Sequence, residues 1–474
     1  MAFERLGNKC SRREFLKVAG ITGAAVGLSG GLGGLLAACG DGEDGTNEPA
    51  TTNTSSEGTT SVSSGAEGGR ALKIGVVSPQ TGGLAAFAVS VNWAVDRLST
   101  YLKDGIVGGD GKKHALEFIK KDTQSDTNRA AAVTGDLIQT DAVDIVLSAG
   151  APDTVNPSAD VCEAMGCPSL SAGSVWQAFY YDRKPPETGF TWTYGILLGS
   201  ETTIINFVDM FDQIPNNKKV GMLFANDANA AGWMKPEAAP AVFKAKGYTL
   251  VEPSWYTPGA EDFTAQISQF KKAGCEIICG SNNPAEFTNF WRQSHQQGFK
   301  PKLVSTGIAL MFPETLMAIG DTGNGLIGEL GWHRTYPYKC TITGATAEEL
   351  AVDYETKMNQ MVSTNTTVMY ELIEWAVDAF KRAKNPEDKM SVVDAIKTTK
   401  LVATCGPIDF TVPVDTANAA DPMTSHPVPN VVKGVCCSGQ WVKGTKYPFE
   451  QVICSNVTAP DVKVMAKVKP LTYS

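Results

Sequence analysis

The stretch Val143–Val175, VDIVLSAGAPDTVNPSADVCEAMGCPSLSAGSV, decides the fold. Val143, Ile145, Val146 and Leu147 form an apolar run too short for a helix and rich in β-branched side chains, so it reads as a buried strand. Gly150, Pro152 and Asp153 break it. A helix then begins near Asn156 or Ser158 and stops at Gly166, and Pro168–Ser171 re-enters the sheet. This is a βαβ unit with parallel strands, and it sets two loops, Gly150–Asp153 and Ala172–Val175, side by side at one sheet edge. In open α/β sheets, ligands bind outside the carboxyl ends of strands. These loops are therefore candidates for contact with a ligand, although ordinary βα turns would read the same way.

The same alternation runs outward in both directions. Upstream, Leu72–Val77 is a strand, Ser78–Gly83 a polar turn, and a helix covers about 84–102. Leu116–Ile119 is the next strand, and Asp126 is placed to N-cap the helix carrying Ala131, Val133, Leu137 and Ile138. Downstream, the pattern restarts after Tyr194. Expected helices lie at about 201–212, 231–246, around Phe263, Ile267 and Phe270, and from Pro284 to Gln297. Expected strands lie at 219–225, 248–255, 276–279, 303–305 and 326–328. Two helices follow Trp332, a third lies near Ser391–Lys397, and residues 406–454 read as short strands with Gly/Pro turns. Repeated strand–helix alternation predicts mainly parallel sheets covered by helices on both faces. The fold class is therefore α/β, with two doubly wound, Rossmann-like lobes.

A chain of 474 residues suits two such domains. The first 38 residues read as an address. Ser11-Arg12-Arg13-Glu14-Phe15-Leu16-Lys17 is a twin-arginine pattern, and a Gly/Ala/Leu-rich apolar region follows. It ends in Leu36-Ala37-Ala38-Cys39, which resembles a lipobox, so Cys39 is the expected lipidation site. The acyl chains on such a cysteine contribute about 0.8 kcal/mol per buried CH₂ and would tie the protein to a membrane. Residues 39–70, dominated by Gly, Thr, Ser, Asn and acidic side chains, read as a disordered tether.

The net charge is −9. Residues 1–38 hold five basic and two acidic side chains, so the remainder carries 36 basic against 48 acidic, or −12. An acidic body without a basic stripe argues against a nucleic-acid partner. Four scattered His argue against a His-built metal site, and no cofactor motif occurs. No G-x-S-x-G elbow or H-E-x-x-H motif occurs either, so an enzyme is not expected. Nine of the eleven Cys lie beyond Cys39. Their connectivity is open, and an odd number leaves at least one free thiol if the rest pair.

Several segments together carry a resemblance. They are IGVVSPQTGGLAAF (74–87), KKDTQSDTNRAAAVTGDLI (120–138), the opening stretch, VGMLFANDANAAGW (220–233), ICGSNNPAEFTNFWRQSHQQGF (278–299) and CGPIDF (405–410). In that order they resemble the type I periplasmic binding proteins of the branched-chain amino acid type, the extracellular solute receptors of ABC importers. The resemblance covers nearly all of residues 71–454. It implies two lobes joined by three crossovers: 71–193 plus 333–404, and 194–332 plus 405–474. It also implies a monomer that binds a small-molecule solute and docks on permease and ATPase subunits. The implied localisation is periplasmic or cell-surface, with a lipid anchor to the membrane. A ligand-sensing receptor of the same fold, working with a separate signalling partner, is the alternative.

Carried over position by position, Phe87, Pro152, Asp153, Gly173, Ser174 and Val175 line the cleft from the first lobe. Asp227, Asn229, Asn282, Thr306 and Gly307 line it from the second, with Trp332 near a crossover. Backbone N–H groups at Gly173–Val175 would hold a carboxylate, and Phe87 and Trp176 would cover an apolar portion. Asp227 serves equally well as a helix cap, and Trp176 and Trp332 equally well as core. Two positions depart from amino-acid binders. Pro152 stands where they use a hydroxyl, and Gly307 or a neighbour where they place an acid for the α-ammonium, with Asp153 and Asp227 as the candidate replacements. The family's disulfide pair falls at Ser125 and Ala151, so that bridge is absent. The expected solute is therefore an amino acid, amide or carboxylate, with aromatic acids included.

Overall fold

A computed structural model describes residues 67–473 apart from Glu237, Pro253 and Ser254. The twin-arginine leader, Cys39 and the tether up to residue 66 lie outside the described residues.

The described chain forms two large sheets. Strands β1 (Leu72–Ser78), β4 (Leu116–Asp122), β5 (Ile145–Ala149), β6 (Ser169–Ala172), β7 (Thr193–Ile196) and β15 (Val431–Val432) make the first. The short pair β2 (Ile106–Val107) and β3 (Lys113–His114) stands apart. The first sheet runs β15-β7-β6-β5-β1-β4, and every pairing is parallel. The second contains β8 (Lys219–Phe224), β9 (Thr249–Val251), β10 (Ile277–Ser281), β11 (Leu303–Thr306), β12 (Ile327–Leu330), β16 (Cys437–Lys443) and β17 (Phe449–Ser455). Its order is β17-β16-β12-β11-β10-β8-β9, parallel except for the β12/β16 and β16/β17 pairings. A hairpin of β13 (Lys400–Ala403) and β14 (Gly406–Asp409) completes the set.

The sheets are covered because their strands are apolar on both faces. Ile74 and Val76 of β1, with Ile145 and Leu147 of β5, join a core that includes Trp93, Leu372 and Trp375. The alternate residues Val77 and Val146 face Val133, Leu137 and Cys162 instead. That two-residue alternation, buried each way, is what the short apolar runs encode. The helix Thr127–Gln139 starts as expected, with the Asp126 carboxylate accepting the Arg129 N–H at 2.7 Å.

Four boundaries differ from the sequence reading. The helix of the opening stretch spans Pro152–Met165, starting earlier than Asn156. Proline is favoured at the first helical position, where its missing N–H costs nothing, so Pro152 opens the helix. The expected helix at 231–246 is two short ones, Ala228–Trp233 and Ala239–Ala245, on either side of Pro236. Glu67–Arg70, read as the end of the tether, is anchored. Lys113 donates to the Glu67 carbonyl, and Arg70 grips the buried Asp144 through both terminal nitrogens at 2.9 and 2.6 Å. Finally, β14 packs Ile408 into the first core, β15 joins the first sheet beside β7, and the chain returns to the second sheet only across residues 433–436. The bound drawn at 404/405 is therefore early. Its cause is Phe410, which stacks on Trp375 and meets Tyr194 edge-on, holding the segment against the first core.

Candidate functional site

The carboxyl ends of the two sheets face each other, and each contributes loops at the point where its strand order reverses. From the first sheet come Phe87 beyond β1, Ala151 and Pro152 beyond β5, Gly173 and Val175 beyond β6, and Leu197 and Leu198 beyond β7. From the second come Asn229 and Trp233 beyond β8, Ser281 at the end of β10, Ile308 and Met311 beyond β11, and Glu329 within β12. These groups enclose an outer chamber of about 50 Å³. An inner chamber of similar size shares Leu197, Leu198, Met311, Glu329 and Asn365 with it and adds Glu371 and Cys405. Strand-end loops from both sides of a switch point are the usual walls of a ligand cleft in doubly wound folds.

The lobes are closed over these chambers. Phe87 meets Phe312 edge-on with ring centroids 4.9 Å apart. Lys235 reaches Asp182 at 3.2 Å and lies over the Tyr181 ring. On the first-lobe wall, Gly173 adopts a φ of +105°, a conformation that a side chain strains, and it passes hard against the Gly150 backbone. Ser174 is buried, and its hydroxyl has no partner among the described residues.

The residues singled out by sequence fall into three groups. Phe87, Pro152, Gly173, Val175 and Asn229 line the outer chamber, with Ser174 buried beside them. Asn229 donates to the Ser281 hydroxyl at 2.7 Å. Asp153, expected in the cleft, lines neither chamber: it sits in the first turn of its helix with an exposed side chain, and the surrounding protein still raises its carboxyl above the usual range. Asp227 caps the Ala228–Trp233 helix, accepting the Ala230 N–H at 2.8 Å, and burial with the nearby Asp153 charge raises it too.

The second group supports the wall from behind. Asn282 donates to the Leu223 carbonyl and the Tyr256 hydroxyl, both at 2.9 Å, and accepts from Thr306 Oγ1 at 3.0 Å. Tyr256 in turn donates to Glu286. This network fixes the ends of β10 and β11.

The third group lies elsewhere. Trp332 borders a separate hollow of about 170 Å³ under the β16–β17 hairpin, beside His333, Arg334 and Lys446. Its cations are already engaged, Arg334 by Glu348 and Glu355 and Lys446 by Glu355. Trp176 is core, donating its indole N–H to Glu201 at 3.0 Å.

Sequence reading missed Glu329, Asn365 and Glu371. A Cβ on Gly307 would lie 3.6 Å from Glu329 Oε1. A carboxylate thus stands beside the position where the acid looked absent, and it comes from the next strand. Burial pushes Glu329 up to about 7 and Glu371 up to about 8. The signal for Glu329 was an acidic residue inside an otherwise apolar buried strand, Leu326-Ile327-Gly328-Glu329-Leu330. Among the described residues, no cluster of His, Cys, Asp and Glu is arranged to hold a metal.

A sequence model of periplasmic binding proteins matches residues 71–425. A Leu/Ile/Val-binding protein homolog of Brucella melitensis is 22% identical over 343 residues, 70% of this chain and 85% of the relative. A leucine binding protein from Thermotoga maritima superposes with a TM-score of 0.64 at 19% identity, covering 81% of this chain and 98% of that one. A solute binding protein of an ABC transporter from Rhodopseudomonas palustris, solved with 3,4-dihydroxybenzoic acid, gives 0.63 at 18% identity, covering 81% and 96%. The chain therefore belongs to the periplasmic binding protein family.

Proposed function

We propose that this chain is the solute receptor of an ABC importer, and that its solute is a small polar molecule with an apolar body. The class is that of amino acids, amides and carboxylates. The observation that carries this reading is the closed two-chamber cleft at the facing switch points of the two sheets. Phe87, Pro152, Val175, Leu198, Trp233 and Met311 supply apolar walls, and Asn229, Ser281, Asn365 and Glu329 supply the polar groups. The backbone N–H groups of Gly173–Val175 offer an anion contact on the first-lobe side. The relatives named for leucine and solved with a benzoic acid support this class.

The mechanism is a population shift. Solute enters between open lobes, binds the closed form better, and so favours closure. The closed form then docks on permease and ATPase subunits. Phe87 against Phe312 and Lys235 against Asp182 close the cleft mouth in this mechanism. The lobes divide at the crossovers, the receptor acts as a monomer, and export by the twin-arginine route with lipidation at Cys39 keeps it beside its permease. No catalytic chemistry and no cofactor enter this scheme.

A ligand-library melting experiment on residues 67–474 tests the reading. A saturating solute raises stability by about 3 kcal/mol at one hundred times its Kd. A broad panel of amino acids, amides, carboxylates and amines that leaves the melting temperature unmoved would refute it.

A further inference from the structure

Seven carboxylates are buried among the described residues. Five are well supplied with donors. Asp144 takes both Arg70 nitrogens and the Lys73 N–H. Glu201 takes Trp176, Gln177 and Lys433. Glu286 takes the Tyr256 hydroxyl and the Gly259 and Asn283 N–H groups. Glu355 takes Arg334 and Lys446. Glu374 takes the N–H and hydroxyl of both Thr341 and Thr404. Such pairing is what a buried charge requires.

Two break the rule. Glu329 accepts from Thr203 Oγ1 at 2.8 Å, and Glu371 has the Cys405 thiol as its hydrogen-bonding neighbour. Both line the cleft, Glu329 in both chambers and Glu371 in the inner one. No Lys, Arg or His lines either chamber among the described residues. Asn365, 9% exposed, lines both chambers, and its Nδ2 has no partner. The under-supplied acids are thus the ones a solute would meet, and the site holds no base to balance them.

We propose that the solute is an organic cation, a protonated nitrogen on an apolar body, with its nitrogen held by Glu329 in the chamber that Glu371 also lines. This rests on the cleft being the solute site and goes beyond the class named for it above. The nitrogen's N–H groups fill acceptor places that the protein leaves open, and its charge balances theirs. A carbonyl or hydroxyl on the same molecule accepts from Asn365 Nδ2. A plain aromatic carboxylate would instead be repelled by either acid in its ionised form. The upward shift that burial gives both acids agrees with this, since a cation beside them would favour their ionised forms.

Calorimetry on the full-length chain with four probes tests the idea: benzylamine as cation, benzamide as neutral amide, benzoate as anion and L-leucine as zwitterion. Benzylamine is expected to bind at least about tenfold tighter than the other three. Glu329→Gln should cut its affinity by at least about tenfold while leaving benzamide within about threefold. Glu371→Gln should act in the same direction and serves if the first variant fails to fold. Tighter binding of benzoate or L-leucine, or an amine affinity unmoved by both substitutions, overturns the inference and leaves the receptor reading intact. Absence of binding by all four, with no melting shift across the wider panel, removes both.

Discussion

A Cβ placed on Gly173 would lie 2.2 Å from the carbonyl oxygen of Gly150. The loops that follow β5 and β6 therefore touch backbone to backbone, and this contact forms the floor of the first-lobe wall. Gly173→Ala should force them apart and also strain a φ of +105°. A cost of about 1–3 kcal/mol is expected for the strain alone. Urea unfolding would read the loss of stability, and calorimetry the loss of solute affinity. A variant as stable and as tight as the parent would contradict the close approach.

Phe87 follows a strand of the first sheet and Phe312 a strand of the second, and their rings meet across the cleft. Edge-on aromatic pairs are worth about 0.5–1.5 kcal/mol beyond their buried area. Phe87→Leu keeps an apolar side chain but loses the pair. It should speed solute release by about two- to tenfold with little change in melting temperature of the solute-free protein. Stopped-flow dissociation is the measurement.

Burial holds Glu329 near 7 against its ordinary 4.5. Between those values the folded chain binds a proton that the unfolded chain has released. Its contribution to stability is complete below 4.5 and is lost as pH rises through 7. The solute-free protein should thus lose up to about 1.4 kcal/mol per pH unit from this group across that window. Glu329→Gln should flatten the profile by that amount. Urea melts of both proteins between about pH 5 and pH 8 make the comparison, and identical slopes would count against it.

The nine cysteines beyond Cys39 are free and buried. Burial raises the thiols well away from thiolate, as at Cys279, pushed up to about 12. In the native body they should resist an aromatic disulfide reagent for hours, and all nine should react once the chain is unfolded. Fast labelling of several thiols in the folded protein would show that these positions open.

Much of the fold was legible because its code is local. Short β-branched runs, helices with one apolar face, and Gly or Asp at their ends each act over a few residues. Asp126 caps its helix and Gly166 ends another as the sequence suggests. Pro152 was misjudged because a proline both breaks a strand and opens a helix, and the residues after it decide between the two. The end of the first lobe was misplaced for a different reason. Phe410 packs on Trp375 and Tyr194, and contacts so distant in sequence leave no periodic trace.

The candidate site divides along the same line. By itself the sequence determined the α/β alternation, the family resemblance and the strand-end loops, including Phe87, Pro152 and Gly173. It did so because loops at strand ends are set by strand order. Only the tertiary structure decided which acids face the cleft. Glu329 meets Thr203 across 126 residues of chain. Glu374 gathers four donors, while Glu371, one turn earlier on the same helix, faces the chamber. Both are acidic residues in apolar elements, and burial with or without donors is a property of packing. That packing also settled Trp176 and Trp332, whose large apolar rings fit a core or a cleft equally well until their neighbours are known.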